Sequence, residues 1–175
     1  MWAERATLNT ITRKIEAIRG NPLLPSHSVH TFFYRANKMK QNDKQDQKAL
    51  ALWTADCAEH VLLYFEKEYP KDDRPRKAIE AGRAWARGVI KVGEARKAAL
   101  DAHAAARGVN QAAARAAARS AGHAAATAHV AGHAPHAADY AVKAAEAAGV
   151  ANEREWQYQR LQKYLPLFSE HFGHR

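Results

Sequence analysis

His129, His133 and His136 recur at steps of four and three residues, and Tyr140 follows four residues later. At 3.6 residues per turn, one helix places these four side chains within an arc of about 60°, with His123 about 120° away. Clustered imidazoles bind zinc, relay protons, or fill helix crossings with polar hydrogen bonds. Two imidazoles at i and i+4 reach a single ion, whereas a third along the same rod diverges. A metal site here therefore needs ligands from a neighbouring helix.

Asp56 and His60 are the first pair to consider. They are four residues apart, so their side chains meet on one helix face. A carboxylate beside an imidazole orients it for proton transfer or completes a divalent-metal site. The same pair also serves as a hydrogen bond that pins adjacent helices. If an ion is held, the set is Asp56, His60, His129 and His133; the sequence itself names no metal, cofactor or catalytic group. Trp53 and Cys57 share the face of Asp56, and Cys57 reads as a small core residue. In Asp72-Asp73-Arg74-Pro75-Arg76 the aspartates suit a helix cap, proline suits the first turn, and the arginines suit bidentate carboxylate pairs or a recognition loop. Trp156 and Arg160, four apart, suit a stacked pair or an interface anchor.

Helices must position all of these. Alternating β-branched runs and Asn-Gly or Asp-Gly hairpin signals are missing, whereas helix-period patterns recur throughout. Leu8, Ile11, Ile15 and Ile18 share one face, and a second helix is expected over 29–40. The polar stretch 40–48 reads as a linker or a frayed helix start. Further helices are expected over 46–69, 74–87, 93–107, 110–132 and 135–148, with Asn110 as a cap and Pro135 as the break. A last helix carrying Trp156 opens on an Asn152–Glu155 capping box and closes at Pro166. From Ala98 to Ala151, 27 of 54 residues are alanine, the strongest helix former. The expectation is an all-α fold, a compact bundle or orthogonal array of about seven to eight short helices.

Composition narrows the function classes. The formal charge of +9 favours acidic partners. The basic excess is dispersed: residues 1–46 carry eight Lys/Arg against four Asp/Glu. A phosphate-cradling glycine loop, a nucleophile elbow, an HExxH pattern and a nuclease carboxylate set are all missing, so nucleic acid is not the expected partner. One cysteine excludes an internal disulfide framework. Apolar runs fall short of the ~20 residues that span a bilayer. A cytoplasmic protein without membrane association is expected.

Three blocks carry a family resemblance: ALALWTADCAEHVLLYFEKEYPKDDRPRKAIEAGRAWARG (49–88), ARSAGHAAATAHVAGHAPHAADYAVKAA (118–145) and EREWQYQRL (153–161). In this order they resemble the immunity proteins related to the fifth immunity family of bacterial polymorphic toxin systems. The resemblance implies a small helical protein that binds and neutralises a cognate toxin by occluding it, and it names no catalytic residue. It divides the chain into a variable basic helical extension (1–47), an immunity-like domain (48–165) and a tail (166–175). Candidate partner contacts are Trp53, Asp56, His60, Asp72, Asp73, Arg74, Arg76, His123, His129, His133, His136, Tyr140, Trp156 and Arg160. The alternatives are a metal- or small-ligand-binding helical protein, with an enzyme among its forms, built on the Asp/His residues, and a nucleic-acid binder built on residues 1–47. Flat alanine-rich faces leave a homodimer open.

Overall fold

The computed structural model describes residues 44–164 and residue 167. It contains six helices: α1 (Lys44–Glu68), α2 (Arg74–Ala86), α3 (Val92–Arg107), α4 (Ala112–Ala126), α5 (His133–Ala147) and α6 (Glu153–Gln162). Among the described residues there is no strand, and the all-α class holds with six helices there. The two helices expected before residue 41 and the stop at Pro166 lie outside the described residues.

α4 is the hub and packs against α1, α2, α3 and α5. Eleven of its fifteen residues are buried, nine of them alanines. A helix apolar on nearly every side has to sit inside the fold. Alanine makes this possible, since the distance between two helix axes is set by the side chains between them. The bulk is supplied from outside the hub by Leu50, Val61, Leu62 and Phe65 of α1 and Ile79 of α2. Ser120, buried in α4, donates to the Ala137 carbonyl of α5 at 2.8 Å and locks the α4–α5 pair.

Three expectations change. The polar stretch before Ala49 is no linker from Lys44 on, because it forms the first turns of α1. It contains helix-tolerant Lys and Gln without Gly or Pro, and Gln47 donates to the carbonyls of Thr127 (2.8 Å) and Ala128 (3.3 Å). The break between α4 and α5 is the turn 127–132 and not Pro135. Pro135 stands in the first turn of α5, where its missing N–H leaves no bond unmade. The caps differ too. Gln111, not Asn110, caps α4 by accepting the Ala114 N–H, and Asn152 makes no side-chain cap bond.

Gly88 and Gly149 end α2 and α5 with φ of 78° and 76°. Each closes a Schellman motif: Val89 N–H bonds Ala84 O, and Val150 N–H bonds Ala145 O, both at 2.9 Å. Gly149→Ala and Gly88→Ala are each expected to cost about 1 kcal/mol in urea unfolding, because Cβ strains the left-handed conformation.

Candidate functional site

The site residues fall into three groups. The first joins α1 to α6. Trp53, Asp56 and His60 lie along one stripe of α1, and Glu153, Trp156, Gln157 and Arg160 along one stripe of α6. The stripes meet rung by rung. The buried Trp53 indole N–H donates to the Gln157 carbonyl at 3.0 Å. The His60 ring lies flat on Trp156, centroids 3.8 Å apart and planes 1° from parallel, and its Nδ1 is 2.7 Å from Glu153. Gln157 donates to Glu153 and to the Ala138 carbonyl, both at 3.0 Å, which brings in α5.

Asp56 is the densest node. One oxygen accepts Arg83 of α2 at 2.7 Å; the other accepts Arg160 at 2.6 Å and the Tyr164 hydroxyl. Burial works to raise its pKa, but bonds from Tyr164, Arg83 and Arg160 outweigh burial and hold the carboxyl below its ordinary value. Arg83 also holds Glu59 at 2.6 Å. Burial and the bond to Asp56 together push the Tyr164 phenol up. Cys57, between these rungs, is fully buried, and burial raises its thiol well above the usual value. A buried carboxylate held by two guanidiniums and a phenol from three parts of the chain clamps the helices together.

The second group is the α1–α2 turn. Asp72 takes the Arg74 backbone N–H and its guanidinium at 3.2, 2.8 and 2.6 Å. Asp73 stands at the N-cap without a side-chain cap bond and pairs with Lys77 at 2.9 Å. Arg76 grips Glu66 of α1 through two bonds of 2.6 and 2.8 Å. These pairs are exposed, so solvent and salt screen them.

The third group is aromatic. His123, the outlier on an ideal single rod, sits at its centre. The chain reverses at 127–132, which folds the Gly132-His133 end of α5 back onto Gly122-His123 of α4. His123 stacks on Tyr140 (5.4 Å, 9°) and lies 5.3 Å from His136 and 4.7 Å from His103 of α3. Its Nδ1 is 3.3 Å from Nδ1 of His133, so one ring donates and the other accepts. His129 stacks on His133 and bonds the Ala126 carbonyl. The His103 ring lies on Gly122, where any Cβ would meet it at 2.6–2.9 Å. Burial, with neighbouring His103, His133, His136 and Arg119, drives His123 down to about 3. Burial and nearby cations lower His103 and His133 as well.

The conditional metal set is not assembled. Asp56 and His60 are committed to α2 and α6, while His129 and His133 face the aromatic group. Among the described residues, no three His, Cys, Asp or Glu side chains form a group able to hold an ion. Sequence spacing missed Arg83, Glu153, Gln157, Tyr164 and His103.

A family model described as Imm-5 like putative immunity protein matches residues 40–164. No curated protein and no solved structure gives a match.

Two outcomes follow from the clamp and the rings. Asp56→Ala strands Arg83, Arg160 and Tyr164, and is expected to cost about 3 kcal/mol by urea denaturation, against about 1 for Tyr164→Phe. The histidines set the acid limb. The folded pKa values of His103, His123 and His133 lie below 6.5, so the unfolded chain takes up more protons as pH falls. Stability is complete above pH 6.5 and declines below it toward pH 3. Melting temperature measured from pH 7.5 to 4.5 should fall steadily, and His123→Gln should flatten that slope.

Proposed function

The chain belongs to the Imm-5-like family of immunity proteins, and we propose that it binds and neutralises a cognate bacterial toxin by stoichiometric occlusion. The match over residues 40–164, which spans all six described helices, carries this reading. The side-chain chemistry supports it. The most polar buried node, around Asp56, is used up in holding α1, α2 and α6 together. Such a scaffold presents fixed surfaces without spending its strong groups on a reaction, and a few anchor side chains on one surface then carry most of the affinity.

On this reading the protein is not an enzyme, acts in the cytoplasm and works mole for mole. Among the described residues no helix is long and apolar enough to cross a membrane.

The test is co-expression with the toxin encoded beside its gene. We expect restored growth of a host killed by the toxin alone, and co-purification at a constant ratio by light scattering, which also reads whether one copy or two engages. Protection that persists at far less than one immunity chain per toxin would indicate catalysis and defeat occlusion. Failure to bind or protect would remove the proposal.

A further inference from the structure

Between Asp101 and Asp139 the chain contains no aspartate or glutamate, yet it holds Arg107, Arg115, Arg119 and five of its ten histidines. This run forms the end of α3, all of α4 and the start of α5. Arg115 and Arg119 stand eight and four residues before His123 on α4. Arg119 lies close enough to oppose protonation of both His103 and His123, and Arg107 does the same to His103. Lys143 Nζ sits over the Tyr140 ring, 4.8 Å from its centroid. Arg107, Arg115 and Lys143 are exposed.

The contrast with the rest of the surface is chemical. Arg74, Arg76, Arg83, Arg154 and Arg160 each have a carboxylate partner; Arg87 and Arg96 have none among the described residues, but their stretch, 72–101, holds five Asp/Glu. The open groove between α2 and α3 is balanced as well, with Lys97 on Asp101 and Lys77 on Asp73. Among the described residues, Arg107, Arg115, Arg119 and Lys143 have no ion-pair partner. Residues 1–43 carry seven Lys/Arg against three Asp/Glu.

We propose that this α3–α5 face, which carries Arg107, Arg115, Arg119 and the His123–Tyr140 stack, receives an acidic surface of the toxin protein. The proposal rests on the immunity reading and adds the chemistry of the partner's side. Guanidiniums without carboxylates are ready for bidentate pairing. Opposed charge over a whole face speeds encounter and sets register. A protein fits better than a nucleic acid. The rings here already stack on one another, so their faces are not free platforms for bases. Leu100, 61% exposed and three residues before His103, offers an apolar contact that a side chain uses and a phosphate does not.

The experiment titrates the full chain with the toxin encoded beside its gene, and separately with a short DNA duplex, at physiological salt. Arg107→Glu/Arg115→Glu changes two exposed helix positions. Arg87→Glu/Lys91→Glu changes net charge equally at the α2–α3 turn. Circular dichroism confirms folding of both, and Arg107→Gln/Arg115→Gln serves as a milder variant. We expect the first pair to weaken toxin binding at least about 100-fold, the Gln pair about 10-fold and the control less than about threefold. Equal losses from both Glu pairs would mean general attraction and overturn the face. Full binding by the first pair would overturn it while leaving immunity intact. No binding by the wild type would instead overturn the immunity reading beneath it. Duplex binding that is tighter than toxin binding and lost in the first pair would replace the protein partner with nucleic acid.

Discussion

Asp56 binds three donors with two oxygens, and the arrangement of α1, α2 and α6 depends on that carboxylate. The reason lies in the composition of the core. Alanine fills most of α4 and α5, and each buried alanine removes little apolar surface from water compared with leucine or phenylalanine. Close approach gives good packing but little to choose between one register and the next, because every methyl resembles its neighbour. Directional bonds supply the discrimination. Asp56 with Arg83 and Arg160, Trp53 with the Gln157 carbonyl and Ser120 with the Ala137 carbonyl each allow one register.

Within one helix, much of this was legible. Residues at 53, 56, 57 and 60 share a stripe, and so do 156 and 160, because helical spacing places them there whatever the tertiary fold. What spacing does not contain is which stripe meets which. Asp56 and His60 looked like the complement of the histidine run, and their complement is α6. Their matching residues lie about a hundred positions away, with nothing local to mark them.

The histidine run failed for a different reason. Treating 121–141 as one rod put His123 on the wrong side, because Pro135 looked like the strongest breaker in sight. A proline in the first helical turn costs nothing, and the true reversal passes through Thr127-Ala128-His129-Val130-Ala131-Gly132, a stretch with only a terminal glycine to betray it. Gln47, eighty residues earlier, holds that reversal by its carbonyls. Once the chain turns, His123 becomes the centre of the group. His103 joins because Gly122 leaves room for its ring. No carboxylate acts on His103, His123 or His133, whose neighbours are cations and imidazoles, so burial and like charge favour their neutral forms.

The rungs between α1 and α6 have a consequence for the order of assembly. They join residues 93 to 108 positions apart, so α1 leaves the ribosome long before the side chains that clamp it exist. Until then Asp56 has Arg83, twenty-seven residues on, as its one early guanidinium partner. Closing so long a loop carries an entropic cost that only the final segment repays. The contacts that clamp α1 to α6 therefore cannot form until the last part of the domain has been made.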